Sequence, residues 1–312
     1  MKEQDIKRIA IIGAGLMGLG VGVEFARFGY EVSLYNTREE SSKKAMERAK
    51  KELDLFAETD LISKAEAEAA YERLRPTTDL EDAAAEADFV HESVLEVLQL
   101  KQDIFAKLDK ICPPPAILAT NTSGLRVSKI ASGTKHPERV VAAHYFQPPH
   151  CVPLVEVAGF EDTSPEVIET TVNLLRGLRK KAVVINFEIP GFVGNRIQGV
   201  IAREIRSLVD KGVCSPETID NVISFGFGRR MAYSAYFKRQ DLIGLDFIAT
   251  QAKDRGWEIW GPIAERLKRG EYGMKSGKGF YDWPGDSAEK FQRKEKMELI
   301  RLMKKDMAEG LI

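Results

Sequence analysis

With 312 residues, the chain is long enough for one or two domains around a sizeable core. Lys and Arg total 46 against 47 Asp and Glu, a formal net charge of −1, which argues against nucleic acid or a membrane surface as a partner. Three cysteines (Cys112, Cys151, Cys214) are too few and too scattered for a disulfide framework or a metal centre, so no metal and a reducing compartment are expected.

The first element is an apolar β run, Ile9 to Ile12, which breaks into Gly13-Ala14-Gly15-Leu16-Met17-Gly18. A helical stretch follows, then a second β run, Glu31 to Tyr35, ending at Asn36. A G-x-G-x-x-G string is weak alone. Between a strand and a helix, within a βαβ unit of about 30 residues, it is the fingerprint of a dinucleotide site. Gly13 permits the tight turn, Gly15 lets backbone approach a pyrophosphate, and Gly18 allows close helix–strand packing. The helix start then offers unpaired N–H groups to the phosphates. The polar N-terminus MKEQDIKR runs straight into the first strand, and no apolar stretch suits a membrane span. The expected location is the cytoplasm.

From Glu39 to Arg75 the pattern is long, polar and helical. Two projecting helices broken near Thr59-Asp60 are expected, the second capped by Ser63 with Glu66 completing a capping box. Short β runs resume at Asp88–Ser93, Ala116–Asn121, Arg139–Tyr145, Leu154–Ala158 and Ala182–Ile185, with helical patterns between most of them. This alternation predicts an α/β fold, a Rossmann-type, mostly parallel sheet covered on both faces. After Pro190 the β signal stops, and the remainder reads as helices, ending in a charged amphipathic helix. The expected division is a dinucleotide-binding domain over residues 1–187 and an all-helical domain over 188–312.

Four segments near the end of the α/β part carry the chemistry. They are Asn121-Thr122-Ser123-Gly124, Ala143-His144-Tyr145-Phe146-Gln147-Pro148-Pro149, Leu154-Val155-Glu156-Val157 and Pro190-Gly191-Phe192-Val193-Gly194-Asn195-Arg196. In open α/β sheets, ligands bind outside the carboxyl ends of the strands. Ser123 and His144 are therefore expected to face the cofactor. Glu156 interrupts an apolar strand, where an unpaired carboxylate is costly, and His144 is its natural partner. Such a pair fixes the imidazole tautomer. The amide of Asn195, at the start of the helical part, is expected to reach the same cleft. His91, His136 and His150 are read as structural.

These segments, with Lys275-Ser276-Gly277-Lys278-Gly279-Phe280-Tyr281 near the end, resemble the 3-hydroxyacyl-CoA dehydrogenase family along essentially the full chain. The resemblance implies that His144 is the general acid/base, Glu156 its orienting partner, and Ser123 and Asn195 binders of the reacting oxygen. It implies that Glu96, Lys101 and Lys275 contact the cofactor, and that the helical domain forms a homodimer. The expected reaction interconverts a secondary alcohol and a ketone, with hydride passing to or from a nicotinamide.

Four departures bear on specificity. The acidic residue expected after the second strand is Asn36, followed by Thr37 and Arg38, so the residues tilt toward NADP while the resemblance tilts toward NAD. The family's Asn after the catalytic histidine is Gln147, a Gly-Pro of the helical domain is Ala235-Tyr236, and the Ser and Lys that contact CoA lack clear counterparts between Lys43 and Lys64. Two substrate classes stay open: a short 3-hydroxyacyl-CoA, or a small non-CoA hydroxy acid or alcohol of the L-gulonate, carnitine or pyridine-carboxylate kind. For the second class, Arg203, Arg229 and Arg230 are candidate carboxylate clamps.

Overall fold

The computed structural model describes residues 2–312. Two compact units divide within one long helix: residues 1–200 and residues 201–312. The sequence-based boundary at 187/188 precedes that helix.

The first unit holds strands β1 (Arg8–Ile12), β2 (Glu31–Tyr35), β3 (Leu74–Thr77), β4 (Phe89–Glu92), β5 (Ile117–Thr120), β6 (Val140–Tyr145), β7 (Leu154–Ala158) and β8 (Lys181–Ile185). They form one sheet in the order β3-β2-β1-β4-β5-β6-β7-β8. Every neighbouring pair is parallel except β6 and β7. Alternation sends Ile9 and Ile11 into one apolar layer and Ala10 and Ile12 into the other, so both faces are covered. Each isoleucine so buried contributes roughly 1.5–3 kcal/mol. Helices α1 (Leu16–Arg27), α2 (Glu39–Glu58), α3 (Lys64–Glu72), α4 (Leu80–Ala84), α5 (Leu98–Ile111), α6 (Val127–Ala131) and α7 (Pro165–Gly177) supply the cover.

The expected helical pair forms. α2 ends where Asp60 turns left-handed at φ 56, and Ser63 caps α3 through a full capping box with Glu66. Strand β3 is a correction to the continuous helical reading, which ran through Arg75. Its Pro76 is tolerated because β3 is an edge strand, where the missing N–H breaks no ladder.

Helix α8 (Phe192–Asp210) leads into the second unit, which contains α9 (Pro216–Asn221), a π-helical turn (Val222–Phe227), α10 (Gly228–Met231), α11 (Tyr236–Ile243), α12 (Leu245–Asp254), α13 (Gly261–Lys268) and α14 (Ser287–Ala308). The late Gly-Lys-Gly-Phe-Tyr segment is organised around the buried carboxylate of Asp241. That carboxylate accepts from the backbone of Phe280 and Tyr281 and from the Trp283 indole. Among the described residues, no helix is long and apolar enough to cross a membrane.

Candidate active site

The glycine turn behaves as its spacing suggests. Gly13 has φ +94, and a side chain there would press on the Ser93 backbone at 3.0 Å. A Cβ on Gly18 would lie 2.2 Å from the Gly13 carbonyl, so only glycine lets α1 approach β1 this closely. At Gly15 a Cβ would meet nothing within 4 Å among the described residues. The fold's own packing does not demand glycine there, whereas a closely approaching ligand does. Gly15 also starts α1 with no side-chain cap, leaving first-turn N–H groups for an anion. Two buried polar atoms near this turn, Ser93 Oγ and Asn36 Nδ2, have no partner among the described residues. Orphaned polar atoms, an uncapped helix start and open space over Gly15 fit a dinucleotide pyrophosphate and ribose. Leu16 and Met17 begin the helix, Leu16 exposed and Met17 lining the neighbouring cavity.

That cavity, of about 430 Å³, opens at the carboxyl ends of the strands. His144 and Glu156 stand directly opposite each other in the antiparallel β6–β7 pair. The His144 Nδ1 lies 3.0 Å from Glu156 Oε2, both side chains almost fully buried. The other Glu156 oxygen accepts N–H bonds from Val193 (3.0 Å) and Gly194 (2.9 Å), the first turn of α8. A carboxylate on a helix N-terminus is electrostatically favourable. Glu156 thus joins the imidazole to the start of α8.

The chain reaches α8 through Gly191 at φ +81 and Phe192 at φ +47, a strained backbone for phenylalanine. This turn lays the Phe192 ring against the imidazole at 4.9 Å and 22°. Phe146 packs on it at 4.9 Å and 53°. Gly194 is required because a Cβ there would lie 2.4 Å from Phe146 Cζ. With its position held by two aromatic rings and Nδ1 bound, the imidazole has Nε2 left for a substrate.

Ser123 follows β5 in a turn held by Glu96. One oxygen of Glu96 accepts from the Thr122 hydroxyl at 2.6 Å and the N–H groups of Ser123 (2.9 Å) and Gly124 (2.8 Å). Burial pushes the Glu96 carboxyl up, but the Thr122 hydroxyl, the Lys101 charge and the two amides outweigh it and hold it below its ordinary value. Lys101 is 1% exposed and bonds Glu92 at 2.6 Å and Glu96 at 3.4 Å. Its ammonium thus meets the cavity-lining Glu96 from the buried side. The amide of Asn195 reaches the Ser123 carbonyl at 3.5 Å, so Ser123, His144 and Asn195 share the cavity. Asn36 directly follows β2, and Arg38 is the residue from which α2 starts. Lys275 lies in the second unit, paired with Asp246 at 2.5 Å, and Arg229 there pairs with Asp306.

Sequence patterns gave no prominence to four contributors. Phe192 and Phe146 read as ordinary apolar residues. Glu92 reads as the end of a strand, yet it is fully buried and anchors Lys101 and Thr120. Gln198 also lines the cavity; its signal was its position three residues after Asn195, on one helix face.

The sequence profile of the 3-hydroxyacyl-CoA dehydrogenase NAD-binding domain matches residues 8–188, and that of the C-terminal domain of the same enzymes matches residues 191–283. The chain belongs to the 3-hydroxyacyl-CoA dehydrogenase family. It is therefore an oxidoreductase that acts on a CH–OH group with a nicotinamide dinucleotide. Among its relatives, a 5-formyl-3-hydroxy-2-methylpyridine 4-carboxylate 5-dehydrogenase of Mesorhizobium japonicum is 32% identical, over 95% of this chain and 96% of that one. A probable 3-hydroxybutyryl-CoA dehydrogenase of Bacillus subtilis is 35% identical, over 89% of this chain and 98% of that one. Among solved structures, a 3-hydroxyacyl-CoA dehydrogenase of Archaeoglobus fulgidus superposes with a TM-score of 0.77 at 27% identity, covering 95% of this chain and 99% of its own. Relatives this similar to the chain thus differ in the substrates they are named for.

Proposed function

We propose that this dehydrogenase interconverts a short-chain 3-hydroxyacyl-CoA and the corresponding 3-ketoacyl-CoA, with His144 as general acid/base. The observation that carries the reading is the buried His144–Glu156 pair with a free Nε2 on a cavity it shares with Ser123 and Asn195. In the oxidising direction, Nε2 takes the proton of the substrate hydroxyl. Glu156, fixed by the amides of Val193 and Gly194, faces the imidazolium that results. The Ser123 hydroxyl and the Asn195 amide donate to the substrate oxygen as its charge changes, each worth about 3 kcal/mol in such sites. A nicotinamide held beside this cavity would supply the hydride acceptor, the part of the chemistry that no side chain provides. A positioned base of this kind contributes about 10²–10⁴-fold.

Gly13, Gly15, Leu16, Met17 and Gly18 would hold the pyrophosphate, Asn36 and Arg38 the adenosine ribose, and Glu96 the turn that faces the nicotinamide half. Lys101 supports that turn through Glu96, and we assign Lys275 to the cofactor by family position alone. NAD and NADP differ only at the ribose near Asn36 and Arg38, so this chemistry runs with either. We further propose residues 1–187 as the dinucleotide domain, 188–312 as a substrate and homodimerisation domain, and the cytoplasm as the location.

A second reading keeps the chemistry and changes the substrate to a small hydroxy acid or alcohol without CoA. One observation favours it. The exposed groove between α2 and α3 carries Asp54, Glu58, Glu68 and Glu72 against only Lys50 and Lys64, and Lys50 already faces Asp54 at 3.5 Å. Such a lining repels the phosphates of CoA. The test is the initial rate of absorbance change at 340 nm with acetoacetyl-CoA and reduced coenzyme. Robust oxidation supports the first reading. Absence of turnover, from protein that binds the coenzyme and turns over L-gulonate, carnitine or a pyridine carboxylate, replaces it with the second.

A further inference from the structure

We propose that the adenosine end of this coenzyme site selects a ribose carrying a 2′-phosphate, so that the enzyme works with NADP(H) in preference to NAD(H). The inference rests on the dinucleotide-binding reading above and does not depend on which alcohol is oxidised.

The relevant corner is fixed in place by backbone bonds. The N–H groups of Gly13 and Ala14 donate to the Tyr35 carbonyl at 3.0 and 3.1 Å, which sets Asn36 beside the glycine turn. Asn36 N–H donates to the Thr77 carbonyl at 3.1 Å, so its main chain cannot drift. A carboxylate here would accept from both ribose hydroxyls and repel a phosphate dianion. An amide does neither strongly, and it can donate to a phosphate oxygen. The Asn36 Nδ2 has no partner among the described residues.

Arg38 supplies the charge. Its carbonyl is pinned by the N–H groups of Ser41 and Ser42 at 3.0 and 3.1 Å, while its side chain is exposed and has no ion pair or hydrogen bond among the described residues. Two carboxylates follow it, and both are engaged elsewhere. Glu39 accepts from the Thr78 hydroxyl at 3.0 Å, and Glu40 pairs with Lys44 at 2.6 Å. A guanidinium with no anion among the described residues, two residues beyond the neutral Asn36, suits a phosphate's charge, and its planar fork can donate to two phosphate oxygens. An adenosine with a bare 2′-hydroxyl would leave that charge unused.

The experiment is a direct titration of the full-length protein with NADPH and with NADH, followed by nicotinamide fluorescence and run without substrate. NADPH is expected to bind at least about tenfold more tightly, the effect of one good charge-assisted contact. In Arg38→Ala the NADPH-to-NADH affinity ratio is expected to fall by about tenfold, and in Asn36→Asp by about tenfold or more, toward NADH. Equal affinity, or tighter NADH binding, in the unaltered protein overturns the proposal while leaving the dinucleotide reading intact. Failure to bind either coenzyme overturns both.

Discussion

Two histidines sit in buried strands of the same sheet, and their surroundings could hardly differ more. His144 on β6 is 4% exposed and His91 on β4 is 0% exposed. His144 faces Glu156 across an antiparallel pair, and that carboxylate is in turn held by two helix-start amides. His91 lies between Ile11 and Ala119 in register, edge-on to Tyr145 at 5.1 Å, and neither ring nitrogen has a partner among the described residues. Burial, reinforced by the nearby Lys101 charge, pushes its pKa down to about 3. Burial alone makes an imidazole inert, because the charged form has nothing to face. Burial beside an anchored carboxylate is the environment on which the proposed acid/base role of His144 rests.

Replacing His144 by Gln should break the comparison most strongly. Turnover is expected to fall by about 10² or more, while coenzyme affinity changes little, because the glycine turn and the β2 end are untouched. Steady-state rates paired with a coenzyme titration check this, and undiminished turnover removes His144 from the mechanism. Glu156→Gln sharpens the same point by removing only the charge. The new amide can still accept from Val193 and Gly194, yet it offers His144 Nδ1 a donor instead of an acceptor. The imidazole is then driven to the tautomer with Nε2 protonated, which cannot serve as a base. A loss in kcat of about 10² is expected, with KM moving less. If KM alone rises and kcat holds, Glu156 is a structural ion-pair partner and no more.

Much of this contrast was legible from the residues. Glu156 stands out as a carboxylate in an apolar strand, where it needs a partner, and His144 is the natural one. Strand β7 matched its expected bounds, and Ser63 and Glu66 formed the expected capping box, because alternation and capping are local signals. What escaped was tertiary. Nothing in the pattern says that the α8 amides bind the far oxygen of Glu156, or that Phe192 adopts a left-handed turn to lie on the imidazole, since both depend on chain segments more than thirty residues apart. Lys101, expected at the cofactor by resemblance, is buried between Glu92 and Glu96, which only the three-dimensional arrangement reveals. Strand β3 was hidden because Pro76 reads as a breaker unless the strand is known to lie at an edge.

The smallest effect belongs to the inert histidine, and its sign separates the two environments cleanly. His91 has a folded pKa of about 3 against an ordinary 6.5, so the unfolded chain binds a proton that the folded chain refuses. Its contribution is fully present above pH 6.5 and is lost as the pH falls from there toward 3, at up to about 1.4 kcal/mol per pH unit. His91→Leu deletes both unpartnered nitrogens and the edge-on contact with Tyr145. The first change relieves about 1–3 kcal/mol and the second costs roughly 0.5–1.5 kcal/mol, so a net gain of about 1 kcal/mol is expected at pH 7.5. At pH 5.5 the gain should be larger, since the substituted protein has no proton to refuse at this site. Urea unfolding at the two pH values measures both. An identical pH dependence in the two proteins would mean that His91 is hydrated and titrates freely, and the contrast with His144 would then lie in the carboxylate alone.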